Sequence, residues 1–296
     1  MKVSTSEKYI NPFTDFGFKK LFGTEVNKDI LMDFLNELIR EKGRITEVRY
    51  LNAEQLGRTE YDRKAVFDIF CETERGEKFI VEMQKSKHNF FKDRSVFYAS
   101  FPIRQQGVQG EWSYELKAVY MVGILDFVFS EDKDDKDYYH TEVKLMDTKK
   151  KTIFYDKLTF IYLEMPKFNK TIDQLETHFD KWLYVLKYLP KLQELPQRLR
   201  DRIFEKAFSI AEIAKMSVEE MVEYENSLKI YRDWHSTLTT ARMEGEIKGR
   251  AEGKTEEKIK IALNLLKKNM TVEDICDVTG LSKEQIEMLV KENTIL

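Results

Sequence analysis

Cysteine and long apolar runs are both scarce in this sequence of 296 residues. The two cysteines, Cys71 and Cys276, are too few and too far apart to form a disulfide framework, which excludes a disulfide-stabilised secreted scaffold. No apolar run approaches the roughly 20 residues that cross a bilayer, and the N-terminus leads into no apolar targeting segment. These absences predict a soluble, cytoplasmic protein without a membrane partner.

Glycine and proline are also few, and neither sign of charge is in large excess. Only 12 glycines and 5 prolines exclude collagen-like and low-complexity chains. The 49 basic and 52 acidic residues leave a net charge of −3, so any binding of nucleic acid must use a local basic surface. With 42% hydrophobic residues, the chain is long enough to bury the core of one large domain or two small ones.

Hydrophobic periodicity predicts a mixed α/β chain that ends in helices alone. A helix is predicted over 13–40, and another over 90–107 with a kink at Pro102. Strands are predicted at 45–51, 65–71, 78–84, 116–129, 139–147 and 158–164, with a polar connection at 57–64. Helices are predicted at 171–188, 198–233 and 236–268, followed by a helix pair at 271–293. The predicted divisions of the chain are 1–168, 169–235 and 236–296.

The C-terminal helix pair is recognisable from its capping residues. Two capping boxes, which begin at Thr271 and Ser282, flank a turn at Gly280. The spacing is similar to that of a helix-turn-helix, but the second helix is rich in glutamate and fits a phosphate backbone poorly. We therefore favour a packing or oligomerisation role for the pair, and the residues 240–268 are the best basic candidate in this part of the chain.

Two acidic residues on neighbouring predicted strands form the most informative pattern in the sequence. A three-residue turn that ends at Gly76 in a left-handed conformation joins the strands, and its register places Asp68 opposite Glu82. Period-two alternation then assigns six side chains to one face of the sheet: Val66, Asp68, Phe70, Ile80, Glu82 and Gln84.

This pairing favours a site for a divalent cation. Two carboxylates on an otherwise apolar face repel each other, and burying them without a cation costs several kcal/mol. Mg²⁺ prefers oxygen ligands and is held by one or two carboxylates together with waters and substrate phosphates. The alternative is a solvated sheet face on which nearby lysine or arginine residues neutralise the acids.

A series of motifs over residues 8–235 resembles the recombination-promoting nuclease/transposase family of bacteria, whose fold belongs to the PD-(D/E)XK nuclease superfamily. The matching segments begin with Asn11-Pro12-Phe13-Thr14-Asp15-Phe16-Gly17-Phe18-Lys19-Lys20-Leu21-Phe22-Gly23. They continue with Phe67-Asp68-Ile69, Gly76, Val81-Glu82-Met83-Gln84, Arg94, Tyr98, Gln106, Val119-Tyr120-Met121-Val122-Gly123-Ile124-Leu125-Asp126-Phe127 and Leu163-Glu164-Met165-Pro166-Lys167-Phe168. The resemblance is specific because the motifs occur in order.

The resemblance implies a restriction-endonuclease-like mixed sheet flanked by helices, with an all-helical C-terminal extension. Together with the sequence pattern, it assigns residues 1–168 to the nuclease-like core and 169–235 to a helical extension, while the pattern alone predicts a charged helix with the C-terminal pair over 236–296. It also implies a metal-dependent nuclease in which Asp68 and Glu82 hold the ion and the backbone carbonyl of Met83 adds a third ligand.

One position departs from the superfamily pattern. Gln84 stands where the pattern has a catalytic lysine, and a glutamine can orient water but supplies no positive charge. Lys85 or Lys87 can take the place of that lysine, although strict strand alternation turns both toward the opposite face. Glutamine occurs at this position in the resembled family, so Gln84 does not indicate an inactive protein.

Helical segments supply the remaining candidates. Asp15 and Lys19 are one turn apart; the resemblance makes Asp15 an additional acid near the metal, and Lys19 is predicted to contact the substrate. The alternative is an exposed i,i+4 ion pair. Arg94 and Tyr98 have the same spacing, and together with Gln106 they are predicted to contact phosphate or orient water. The alternative is a surface arginine packed on a core tyrosine.

These expectations combine into an endonuclease that uses Mg²⁺ or Mn²⁺ to hydrolyse DNA, with Asp68, Glu82, Gln84 and Asp15 as catalytic residues. A link to recombination or mobile elements follows from the resemblance alone, and a homodimer is expected because two sites most simply make two cuts in a duplex. A second hypothesis is an inactive nuclease fold that acts as a scaffold or binds nucleic acid through its helical tail. Strand transfer by a transposase is a third, weaker one.

Overall fold

The computed structural model describes residues 7–55, 65–86, 90–107, 113–132 and 134–293, and the predicted polar connection at 57–64 lies outside them. The strands are β1 Val48–Tyr50, β2 Glu54–Gln55, β3 Ala65–Val66, β4 Ile69–Thr73, β5 Lys78–Gln84, β6 Val119–Leu125, β7 His140–Asp147 and β8 Thr152–Glu164. The α-helices are α1 Asp15–Phe22, α2 Lys28–Leu38, α3 Phe91–Gln105, α4 His178–Tyr188, α5 Arg202–Ala211, α6 Val218–Leu266, α7 Val272–Thr279 and α8 Lys283–Asn293.

The central feature is a mixed six-stranded sheet with the order β1-β4-β5-β6-β8-β7. Strands β5, β6 and β8 run parallel, whereas β1, β4 and β7 pair antiparallel to their neighbours. The parallel register places Gln84, Leu125 and Glu164 level with one another, so the carboxyl ends of the three strands meet at one edge. This arrangement confirms the predicted fold class.

Each face of the sheet packs against helices. One core joins α1, α2, α4 and α5 to the strands through side chains such as Phe22, Phe34, Trp182 and Phe204. A smaller core joins α3 to the opposite face. Because β5 is covered on both sides, its side chains are apolar on successive positions, and Glu82 is the exception among the buried ones.

The predicted helix over 13–40 is wrong in its continuity, because it is two helices. Helix α1 ends at Phe22, where the Gly23 N–H donates to the Lys19 carbonyl at 2.7 Å, and α2 begins only at Lys28. The predicted helix over 90–107 is confirmed as α3, which runs through Pro102.

Three strand predictions differ from the structure in their bounds. The predicted strand 65–71 is split into β3 and β4, because the Phe67 N–H donates to the Ala53 carbonyl instead of continuing the ladder with β5. Strand β6 stops at Leu125 rather than 129, since the Phe129 N–H turns to the buried Glu164 carboxylate. Strand β8 begins at Thr152 rather than 158, and its first residues pair with β7 alone.

The chain after β8 is helical, as predicted, but the bounds differ. The helix predicted at 171–188 begins only at His178, 198–233 contains a break between α5 and α6, and α6 continues through the predicted gap between 233 and 236. The chain divides into two compact units, one ending at Tyr231 and one beginning at Arg232. Helix α6 runs across this division. Among the helices of the described residues, none has both the length and the apolar character of a membrane span.

Of the two predicted capping boxes of the second unit, the one at Ser282 is complete, whereas at Thr271 the N-cap hydrogen bond is present and the Asp274 carboxylate accepts the Thr271 hydroxyl. Thr271 Oγ1 accepts the Asp274 N–H at 3.2 Å, and the Ser282 and Gln285 side chains each accept the backbone N–H of the other residue. Gly280 ends α7 with φ 63°. These interactions satisfy backbone donors that the first turn of a helix leaves without partners.

Candidate active site at the ends of strands β4 and β5

The hairpin between β4 and β5 fixes the positions of the two candidate metal-binding carboxylates. Its turn ends at Gly76, whose φ of 81° is a conformation that glycine adopts without a steric penalty. The ladder pairs Ile69 with Val81, which is the register that the turn predicts. One residue before Ile69, Asp68 therefore lies opposite Glu82, and the predicted pairing of the two acids is confirmed.

Each of the two carboxylates accepts a hydrogen bond from the backbone of the other strand. The Asp68 N–H donates to Glu82 Oε1 at 3.1 Å, and the Met83 N–H donates to Asp68 Oδ2 at 2.8 Å. Glu82 is buried, with a side chain that is 7% exposed. The backbone thus holds both carboxylates next to each other and limits how far they can separate.

The Met83 carbonyl is outside the β4–β5 ladder. In an antiparallel ladder every second pair exchanges both hydrogen bonds, and after Ile69 and Val81 the next such pair is Phe67 and Met83. The Phe67 N–H donates instead to the Ala53 carbonyl at 3.0 Å, and the ladder stops at Ile69. Within the described residues the β4–β5 ladder therefore leaves this backbone oxygen beside the two carboxylates.

The Asp68 and Glu82 carboxylates lie in an environment that disfavours two negative charges unless a cation is bound. Burial raises the pKa of Glu82 to about 8, and the neighbouring Asp68 carboxylate adds to the shift. Burial also raises the pKa of Asp68, against the opposing effect of the hydrogen bond from the Met83 N–H. Without a cation the pair therefore keeps a proton at neutral pH, since two buried like charges cannot both ionise cheaply.

This donor set fits a hard divalent cation. It offers two carboxylates and a backbone carbonyl, which are oxygen ligands of the kind that Mg²⁺ prefers. Among the described residues, no group of three or more histidine, cysteine, aspartate or glutamate side chains could hold a metal ion. A cation held by two carboxylates keeps several waters, which leaves room for a phosphate oxygen and a reacting water.

Helix α3 brings two predicted residues to the same acids. Arg94 Nη2 donates to Gln84 Oε1 and lies 3.7 Å from Glu82 Oε2. The Arg94 guanidinium is 5.4 Å from the ring centroid of Tyr98, and the Glu82 carboxylate contributes, after burial, to a raised pKa of that tyrosine. The predicted contacts of Arg94 and Tyr98 with substrate remain a prediction, but both lie beside Glu82.

Helix α1 contributes to a cleft of about 620 Å³ that reaches Asp68. Asp15 and Lys19 line this cleft, and the first turns of α6 form its other wall through residues such as Asn226 and Ile230. Lys19 Nζ is 2.9 Å from Asp15 Oδ1, and both side chains are about half exposed. The i,i+4 ion pair and the position beside Asp68 are therefore both present.

Comparisons with known proteins agree with this geometry. A sequence model described as the PD-(D/E)XK nuclease family transposase matches residues 12–241. The chain belongs to this PD-(D/E)XK nuclease family. No curated protein and no solved structure matches it. Membership points to a nuclease activity related to mobile elements.

The lysine position of the PD-(D/E)XK pattern holds Gln84, and the structure shows where nearby cations lie. Strand β5 ends at Gln84, so alternation no longer governs Lys85. Burial lowers the pKa of Lys85, and the carboxylates of Asp15 and Asp68 act against that shift. Lys85 therefore lies within the field of the acids, contrary to the expectation that it faces away. Lys87 is outside the described residues.

Gln106 is the predicted site residue that the structure does not bring to the acids. Its Oε1 accepts the Lys117 N–H at 2.6 Å, and its Nε2 donates to the Lys117 carbonyl at 3.3 Å. Gln106 directly follows α3, more than three helical turns from Arg94, and Lys117 precedes the amino end of β6. Its side chain ties α3 to the sheet, and we leave it out of the proposed site.

Sequence reasoning overlooked a pair beside this edge of the sheet. The Asp126 N–H donates to the Gln84 carbonyl at 2.9 Å, and Asp126 Oδ2 accepts the Tyr231 hydroxyl at 3.2 Å. Lys85 Nζ is 6.0 Å from the centroid of the Tyr231 ring. The signal was available, because Asp126 follows the apolar strand β6 and the carboxyl ends of parallel strands share an edge.

Proposed function

We propose that the chain is a metal-dependent endonuclease that hydrolyses phosphodiester bonds of DNA. The observation that carries this proposal is the pairing of Asp68 with Glu82 beside the Met83 carbonyl, at the end of a sheet of the nuclease family. Buried carboxylates with raised pKa values are costly for the fold, and such groups concentrate at functional sites.

Asp68, Glu82 and the Met83 carbonyl would hold Mg²⁺ or Mn²⁺. When bound, such an ion lowers the pKa of a coordinated water and neutralises charge on a phosphate. The accessory acid Asp15 lies in the cleft that reaches Asp68, where it can orient a second water.

The proposed reaction is the hydrolysis of one phosphodiester bond. A water oxygen forms a bond to phosphorus, and the bond from phosphorus to one ester oxygen breaks. The water gives up one proton as it attacks, and the departing oxygen takes up one proton, which leaves a phosphate monoester and a hydroxyl. Gln84 orients the water through its side-chain amide, and Lys19 and Arg94 bind the non-bridging phosphate oxygens. Tyr98 keeps the Arg94 guanidinium in place.

Binding of DNA would depend on positively charged side chains close to the two acids. The chain carries a net charge of −3, so affinity for DNA must come from local cations such as Lys19, Lys85 and Arg94. We propose that a homodimer makes the two cuts of a duplex and that the protein acts in the cytoplasm in recombination or mobile-element processes. Residues 1–168 would form the catalytic core, with 169–235 as its helical extension and 236–296 as a separate tail.

Cleavage of supercoiled plasmid tests the proposal. Asp68→Asn and Glu82→Gln keep the shape of each side chain and remove its charge, so each is expected to lower the cleavage rate about a hundredfold or more in Mg²⁺ or Mn²⁺. Titration calorimetry with Mn²⁺ in the absence of DNA is expected to show one binding event that both variants lose.

Glu142→Gln is the matched control, because Glu142 lies on the edge strand β7 with an exposed side chain. It is expected to cleave plasmid and to bind Mn²⁺ like the wild type. If the wild type neither binds Mn²⁺ nor cleaves DNA, the chain is a scaffold with a nuclease fold. Cleavage that persists in both acid variants would place the active site elsewhere.

A further inference from the structure

The Gln84 side chain has a protein partner that gives its position a charge. Its Oε1 accepts a hydrogen bond from Arg94 Nη2, which comes from α3 rather than from the strand. Glutamine is neutral, whereas the guanidinium of arginine carries a positive charge. The Arg94 guanidinium therefore places a positive charge at the Gln84 side chain, next to Glu82.

Aromatic rings hold this guanidinium in place. Its central carbon lies 5.3 Å from the ring centroid of Phe91 and 5.4 Å from that of Tyr98, within the range of cation–π attraction. Phe91 is buried and packs in the core of the α3 face. A planar fork that is already oriented loses little conformational freedom when it binds a ligand.

The protein does not use all the donors of this guanidinium. Arg94 Nε is buried and has no hydrogen-bond partner among the described residues, while Nη2 is 3.7 Å from Glu82 Oε2, beyond hydrogen-bond distance. The Arg94 side chain remains 31% exposed. Because Nε is buried, the terminal Nη groups are the donors that a phosphate can reach, and an arginine beside a carboxylate pair is suited to binding one.

We infer that Arg94 supplies to the substrate phosphate the positive charge that Gln84 lacks, and that Gln84 positions its guanidinium. The inference rests on the proposed function and assigns the charge to a residue of another element. Gln84 then has two uses, since its carbonyl holds Arg94 while its amide N–H groups face the reacting water. Lys19 and Lys85 are the competing cations, because the charge of Lys19 acts on both acids and that of Lys85 acts on Asp68.

Moving the positive charge from position 94 to position 84 tests this assignment. Arg94→Ala is expected to lower the single-turnover cleavage rate about a hundredfold, the typical cost of losing one preorganised donor. Adding Gln84→Lys to Arg94→Ala is expected to restore the rate to within about tenfold of the wild type. Arg104→Ala is the matched control, because Arg104 lies on the same helix, stacks on Phe101 at 5.3 Å and is exposed.

DNA binding without metal gives a readout that does not depend on activity. In EDTA, the logarithm of the affinity for a short duplex falls with the logarithm of salt concentration, and losing one phosphate contact reduces that slope by about 1. Arg94→Ala is expected to show this reduction, and Arg104→Ala is not. Circular dichroism establishes that both variants fold.

Two outcomes would overturn the inference. One is an Arg94→Ala variant with unchanged cleavage and an unchanged salt slope. The other is a loss of cleavage in Lys85→Ala, together with a failure of Gln84→Lys to rescue Arg94→Ala. If the wild type itself does not cleave DNA, the proposed function fails, and the salt slope still decides whether Arg94 contacts phosphate.

Discussion

Replacing Glu82 by glutamine is expected to make the metal-free protein more stable at neutral pH. Burial raises the pKa of Glu82 to about 8, from an ordinary value of 4.5, and the Asp68 charge adds to the shift. Between those two values the folded chain binds one proton more than the unfolded chain. Its free energy of unfolding therefore falls as the pH rises through this window and stops falling above the folded pKa.

The size of the effect follows from linkage. One extra proton in the folded state changes the free energy of unfolding by about 1.4 kcal/mol per pH unit. Between about pH 5.5 and 7.5 the wild type is therefore expected to lose on the order of 3 kcal/mol through Glu82. Glu82→Gln resembles the protonated acid at all pH values, so it lacks this contribution.

Urea denaturation in EDTA at several pH values measures the difference. The wild type and Glu82→Gln are expected to have similar stability near pH 5.5, with the variant more stable by about 3 kcal/mol near pH 7.5. Saturating Mg²⁺ at the higher pH is expected to stabilise the wild type alone, by about 3 kcal/mol at a hundred times the dissociation constant. Parallel pH curves for the two proteins, or equal stabilisation by Mg²⁺, would refute the reasoning.

Three further predictions concern the fold. The ion pair of Glu164 and Lys167 is buried, so Lys167→Met is expected to lower the free energy of unfolding by about 3–5 kcal/mol, and adding Glu164→Gln should recover part of the loss in urea titrations. No recovery would mean that the charge pairing is not the cause. Gly76→Ala is expected to cost about 1 kcal/mol in the same assay because of its positive φ, and an unchanged midpoint would contradict the strain. Thr271→Ala removes the cap of α7 and should cost about 1 kcal/mol, measured as earlier thermal loss of helix by circular dichroism; identical melting would show that the cap is dispensable.

The pairing of the two acids was predictable because a local feature determines it. The turn that ends at Gly76 fixes the register of β4 and β5, and that register alone places Asp68 opposite Glu82. No tertiary information enters this step. The N-cap interactions at Thr271 and Ser282 were predictable for the same reason, since each involves residues three positions apart.

The break before β4 was not predictable, because a long-range hydrogen bond causes it. Residues 65–71 read as one strand in their composition, and only the bond from the Phe67 N–H to the Ala53 carbonyl separates β3 from β4. The placement of Gln106 failed for a related reason. Helical spacing says which residues share a face of α3, but it does not say how far that face extends beyond the end of the sheet.

The same limit explains why the charge at position 84 could not be located from the sequence. In the sequence the nearest substitute for the missing lysine is Lys85, which directly follows the strand. The cation that contacts Gln84 is instead Arg94 of α3, ten residues further along the chain. A parallel sheet needs a crossover helix between β5 and β6, and that helix must pass beside the end of β5 where the acids lie. Arg94 lies in the first turn of this crossover helix, so the connection between β5 and β6 brings it to the acids. For chains of this family with glutamine at the lysine position, the beginning of this helix is the first place to look for the missing charge.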